Sequence, residues 1–133
     1  MMDILTQLSS EHDELRAVLT HIEAAAEARD AAALQENLNM ARATLTVELD
    51  AHIATEEIEA FDAISDTLGE DLVAPFRADH AEIRATRDEV YEHLERGETP
   101  YEASMRLCSL LLSHQEREDL MLFPSAREAV FSS

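Results

Sequence analysis

Two copies of one pattern, each set at helical spacing, leave this chain few architectures. Glu11-His12-Asp13-Glu14-Leu15-Arg16 is echoed by Asp79-His80-Ala81-Glu82-Ile83-Arg84, and His52-x-x-x-Glu56-Glu57 by His114-x-x-x-Glu118-Asp119. In both copies of the second pattern a phenylalanine, Phe61 or Phe123, stands nine residues after the histidine. Around these markers run apolar stripes: Ile4, Leu8, Leu15, Leu19 and Ile22; Leu34, Leu38, Leu45, Leu49, Ala60 and Ile64; Phe76, Ile83, Val90 and Leu94; Leu107, Leu111 and Met121. Their period is that of a helix with one face in a core. The chain reads as two helical hairpins of the same design, related by a pseudo-two-fold axis.

Helices are expected over 3–29, 30–69, 75–97 and 99–124, with a short terminal helix over 125–130. Asp30 is placed to cap the second helix, and Gly69 and Gly97 to follow the ends of the second and third. Pro75 suits a first turn, and Thr99-Pro100-Tyr101-Glu102 reads as a capping box with proline at the first helical position. Short connections make neighbours antiparallel, so the expected fold is an all-α, up-down-up-down four-helix bundle in a single domain, 1–133. Two glycines and three prolines are too few for the turns of a β-sandwich or barrel.

Charge narrows the partners. Twenty-nine acidic residues face ten arginines and no lysine, a formal charge of −19. Such a surface repels nucleic acid and anionic lipid, so neither is expected as a partner. No apolar run approaches the roughly 18 residues of a membrane span, and the first residues show no signal-peptide pattern. The single cysteine, Cys108, excludes an intramolecular disulfide. A cytoplasmic location fits these features.

The repeat carries its polar residues in the wrong place for a solvated face. His12 sits in the stripe between Leu8 and Leu15, His80 between Phe76 and Ile83, and His52-Glu56 and His114-Glu118 continue theirs. Buried carboxylates and imidazoles need partners. His12 lies 18 residues before Asp30 and His52 22 after it, while His80 and His114 each stand 17 from Gly97. Antiparallel hairpins therefore bring all four histidines to one level. In each HxxxE the glutamate stacks one turn from its histidine on the same face. Four imidazoles and two carboxylates in a bundle suit a pair of transition-metal ions, iron best, with zinc and manganese also compatible. Neither HExxH nor the ExxH of ferritin-like bundles occurs.

These residues, with Leu122-Phe123-Pro124 on the fourth helix, resemble the hemerythrin-like, or HHE cation-binding, family over nearly the whole chain. The resemblance implies a non-heme di-iron centre bridged by two carboxylates and an oxygen atom. Oxygen-carrying hemerythrins use five histidines, two of them four apart on the third helix; here Phe76 and Arg84 flank His80 at that spacing. They also commonly place an aspartate five residues after the last histidine. Asp119 has that spacing, whereas repeat symmetry with Glu56 favours Glu118. Two histidines per iron would leave each metal an open position. That resembles the four-histidine, two-glutamate subgroup, associated with repair of iron centres, sensing, and handling of nitric oxide or peroxide. The expectation is a di-iron protein that reacts with or senses O2, peroxide or NO in iron-centre repair or stress response, an oxidoreductase among the possibilities. A reversible carrier or store of O2 or iron is the alternative, and a metal-free helical interaction module a third reading.

Other residues are expected to stay outside the centre. His21 and His93 fall about 180° and 220° round their helices from the nearest site histidine. Glu57 is expected to be solvated, Arg16 and Arg84 to form surface ion pairs, and Cys108 to be a buried structural thiol. Leu8, Leu49, Phe76 and Leu111 are core residues one turn from the site.

Overall fold

The computed structural model describes residues 3–130; residues 1, 2 and 131–133 of the expected domain lie outside it. α1 spans Ile4–Glu27 and starts on Asp3, whose carboxylate accepts the Thr6 N–H at 2.7 Å. Arg29, at φ 53°, turns the chain into α2, Ala31–Met40. Asp30 caps α2 as expected, accepting the Ala33 N–H at 3.1 Å.

The expected single helix over 30–69 is interrupted. After a turn at Ala41 come a π-helical turn at Thr44–Glu48, α3 at Leu49–Thr55, a second π turn at Glu56–Phe61, and α4 at Asp62–Leu68. A third π turn, Glu118–Leu122, joins α6, Tyr101–Arg117, to α7, Phe123–Ala129. In a regular helix residues five apart lie about 140° from each other, at 100° per residue. A widened turn takes up more residues per revolution, so Glu56 and Phe61 both face inward, as do Glu118 and Phe123. The expected fourth helix, over 99–124, is therefore broken after Arg117 and does not stop at Pro124. The π turn precedes it, and Pro124 takes a first-turn position of α7, where its missing N–H costs nothing.

Two further boundaries depart from expectation. α5 runs Glu70–Glu95 and begins five residues before Pro75. Gly69, at φ 100°, makes the bend alone, and Glu70 and Asp71 complement the helix dipole in the first turn. The capping box at Thr99 is not made: Pro100 occupies the N-cap, the Thr99 hydroxyl accepts from Gln35 Nε2 at 3.1 Å, and Glu102 pairs with Arg29.

The product is a helical bundle, without strands among the described residues. α6 packs broadly on both α1 and α5. Along α1 and its partner, Asp3 meets Arg127, Ser9 meets Asp119, Leu19 meets Cys108 and Arg29 meets Glu102, so numbers rise along one as they fall along the other. The core comes in two apolar clusters. One holds Leu15, Leu19, Ile22, Leu34, Leu45 and Leu107; the other holds Leu5, Leu8, Phe61, Ile64, Phe76 and Phe123. Phe61 and Phe123 are almost wholly buried, and truncating such a ring typically costs about 3–5 kcal/mol. Between the clusters lies a polar layer. No helix among the described residues is long and apolar enough to cross a membrane.

Candidate metal centre

The layer is built by α1, α3 with the π turn after it, α5, and the end of α6 with its π turn. His12, His80, His114, Glu56 and Glu118 are buried to within 4% of complete, and His52 is 12% exposed. Each imidazole presents Nε2 to the two carboxylates. His80 Nε2 lies 2.7 Å from Glu56 Oε1, His52 Nε2 3.3 Å from Glu56 Oε2, His12 Nε2 3.2 Å from Glu118 Oε1, and His114 Nε2 3.1 Å from Glu118 Oε2. The six residues expected from the repeat are thus brought together at one level. His21 is exposed, and His93 pairs with Glu98 at 3.2 Å, away from this layer.

The opposite ring nitrogens all meet carboxylates. His12 Nδ1 is 3.1 Å from Asp119, His52 Nδ1 2.6 Å from Glu11, His80 Nδ1 3.2 Å from Glu57, and His114 Nδ1 3.0 Å from Asp79. An ionised carboxylate only accepts, so each Nδ1 is placed to carry a proton, which would leave each inward Nε2 as the atom a metal can take. Glu57, expected to be solvated, is 30% exposed and also holds His80. Asp119 faces the outer nitrogen of His12, and Arg16 anchors it at 2.6 Å while also pairing with Asp13. Arg117 anchors Asp79 in the same way at 2.6 Å, whereas Arg84 lies 3.6 Å from Asp50. The signal for these four outer carboxylates was in the repeat: each neighbours a site residue in sequence, Glu11 and Asp79 just before a histidine, Glu57 and Asp119 just after a glutamate.

The aromatic residues of the repeat stack beneath. Phe61 lies parallel to the His80 ring at 5.3 Å between centroids, Phe123 parallel to His12 at 6.0 Å, and Phe76 edge-on to His114 at 5.7 Å. They fix the ring planes and keep water from that side.

Buried charge here calls for a cation. Burial alone would lower the His12 pKa, but Asp119, Glu118 and Glu56 lift it to about 11; the same balance lifts His114 to about 10 and raises His52. Burial and the neighbouring Glu56 charge raise Glu118. Glu56 is held well below its usual value, because the surrounding imidazoles and Glu118 outweigh burial. His12 Nε2, Glu56 Oε2 and both Glu118 oxygens have no hydrogen-bond partner among the described residues. Such orphaned atoms are costly unless something positive joins them. Two overlapping groups, Glu56-His80-His114-Glu118 and His12-His52-Glu56, each bring one donor atom per residue within 4.8 Å of one another. Three or four imidazole and carboxylate donors suit a transition metal in either group.

The sequence model of the family described as Hemerythrin HHE cation binding domain matches residues 3–126. The chain belongs to that family. No match was found among curated proteins or among solved structures. In this hemerythrin domain the matched span includes all six inward-facing residues and all four outer carboxylates.

Two cavities adjoin the centre. One, about 400 Å³, lies between α1 and the stretch from Thr44 to Thr55, with Glu11, Glu14 and Glu48 among its lining residues. The other is a void of about 10 Å³ bounded by all four histidines, Leu15, Leu49, Ile53, Ile83, Leu111 and Gln115. They share His12, Leu15, Leu49 and His52. Cys108 is remote from both and buried; burial pushes its thiol up to about 12, as expected for a structural cysteine.

Proposed function

We propose that this hemerythrin domain, an up-down-up-down four-helix bundle, is a non-heme di-iron protein that reacts with or senses small oxidants (O2, peroxide or NO) in iron-centre repair or stress response. Its metal ligands are His12, His52, Glu56, His80, His114 and Glu118. One observation supports the reading: four Nε2 atoms converge on two buried carboxylates, three of whose four oxygens have no hydrogen-bond partner among the described residues.

Iron bound here supplies open coordination positions and a change of oxidation state that no side chain of this chain offers. The residues do the rest. Glu56 faces three imidazoles within 3.5 Å, a position suited to bridging two ions. Glu118 faces His12 and His114 and suits the second bridge. The outer carboxylates hold the protons on Nδ1, which keeps Nε2 free and the imidazoles basic. The apolar walls, Leu15, Leu49, Ile83 and Leu111, admit small uncharged gases and exclude bulk water.

A five-histidine oxygen carrier is the weaker reading. The positions that would supply another imidazole hold Phe76, edge-on to His114, and Arg84, turned to Asp50. The test is an optical spectrum with metal quantification on protein from iron-supplemented cells. About two irons per chain are expected, with rapid irreversible oxidation when O2 meets the reduced protein. A stable, reversible oxygenated spectrum would establish the carrier instead. No iron after iron-replete purification would leave the metal-free interaction module.

A further inference from the structure

We propose that Gln115 is a ligand-contacting residue: its side-chain amide makes the hydrogen bond that holds a small polar ligand, two or three atoms long, against the metal pair. The inference rests on the di-iron reading above and assigns a residue that the reading does not use.

Gln115 follows His114 directly and is only 2% exposed. Its Oε1 is buried with no hydrogen-bond partner among the described residues. A buried amide oxygen left without a donor is unfavourable, so its retention needs a compensating contact. Gln115 lines the small void beside the four histidines. Outside those histidines, every other residue bounding the void is leucine or isoleucine, so the amide is the one polar group on that wall.

The repeat removes a packing explanation. The position that matches Gln115 in the other hairpin, directly after His52, is Ile53, and Ile53 is equally buried and bounds the same void. A branched aliphatic side chain therefore fills this place in the fold without any polar atom. The volume of about 10 Å³ is near the smallest that holds a water-sized group, so the void takes only the one ligand atom that meets the amide. An amide offers an acceptor or, turned about its last torsion, a donor at nearly the same point. It therefore serves a ligand with O–H, such as water or hydrogen peroxide, and an anion such as azide. The larger cavity, which shares His52 and Leu49 with the void, gives the ligand its way in.

Azide is the probe. The iron-loaded, oxidised full chain is titrated with azide by its visible absorption, and the bound azide stretch is recorded by infrared in H2O and D2O. Gln115→Met keeps the length of the side chain, and Gln115→Ile copies the partner hairpin should Gln115→Met fail to fold. The expected result is unchanged iron content, azide affinity about tenfold lower, and loss of the solvent-isotope sensitivity that the parent stretch shows. A purely packing role would not move that sensitivity. Unchanged affinity and unchanged isotope shift in an iron-replete variant overturn the proposal while leaving the di-iron reading intact. Iron-replete parent protein that binds no azide overturns the proposal together with the open-position reading, and parent protein that takes up no iron overturns the ligand assignment itself.

Discussion

Asp119→Asn tests whether the outer carboxylates decide how well the centre holds metal. Asp119 receives three donors: His12 Nδ1 at 3.1 Å, the Ser9 hydroxyl at 2.8 Å and Arg16 Nη2 at 2.6 Å. Asparagine keeps the size and loses the charge. Its one carbonyl oxygen then satisfies Arg16, which turns the amide NH2 toward His12. A donor facing Nδ1 drives the ring proton to Nε2, the atom a metal needs. Changes behind a metal-bound histidine cost about 10–100-fold in affinity, and here charge and tautomer are lost together, so the upper end applies. One hundredfold is about 2.7 kcal/mol at about 1.36 kcal/mol per decade. Glu57→Gln is the internal comparison. Glu57 meets His80 at 3.2 Å, has no arginine behind it, and is 30% exposed against 20% for Asp119. It should lose about tenfold or less, about 1.4 kcal/mol. Both variants compete for ferrous iron with a chromophoric chelator, anaerobically and at one pH. Equal losses, or a larger loss in Glu57→Gln, would refute the reasoning.

Three further outcomes follow from the same geometry. Glu56→Ala or Glu118→Ala should sharply reduce bound iron, while His21→Ala, at an exposed position, should leave it unchanged; metal analysis of the purified variants separates them. In the metal-free protein His12 and His114 titrate near 11 and 10, above the ordinary histidine value. Their stabilisation is therefore complete below about pH 6.5 and is lost as pH rises toward 10–11; a thermal midpoint of chelator-treated protein that holds steady or climbs between pH 7 and 10, on the order of those values, would contradict this. Asp30→Ala removes the oxygen that caps α2 and should cost about 1 kcal/mol, a fall of about 3–4 °C for a chain of this size by calorimetry.

Much of the bundle and its centre could be read from periodicity because both obey simple counting. In-stripe histidines at matched distance from a turn had to share a level, and they do. The π turns were not read, although the sequence held their trace. Phe61 and Phe123 follow their histidines by nine residues, which on a regular helix is about 180° away and outward. Both rings are instead buried beneath the site. His21 has the same spacing from His12 and does point away, because α1 is regular throughout. A repeated spacing that contradicts the helix period is thus a sign of a widened turn. The contact of Glu57 with His80 has the same origin, since a residue one step off a ligand face swings round when the turn beneath it widens. The capping box failed differently: Gln35 and Arg29 lie far from Thr99 and Glu102 in sequence, and no local pattern could show that they would claim them.

The two hairpins match in their inward residues and differ at the mouth. Thr44 and Thr55 line the large cavity beside α1. At the matching places of the second hairpin stand Arg106 and Arg117. Arg117 binds Asp79 and lies over the Phe76 ring at 5.6 Å, and Arg106 pairs with Glu89 on α5. Two guanidinium groups thus brace the seam between α5 and α6, where the first hairpin has only short hydroxyls. The histidines record the difference, since His52 is 12% exposed and its counterpart His114 only 4%. Reaching the centre from the second seam means breaking ion pairs, which exposed arginines share at modest cost each, and displacing a packed ring, which costs more. Reaching it from the first requires neither. The repeat therefore makes a symmetric clamp, and departures from the repeat leave one side open: on the proposed reading a small ligand would arrive on the His12–His52 side, pass Leu15 and Leu49, and come to the void where Gln115 stands.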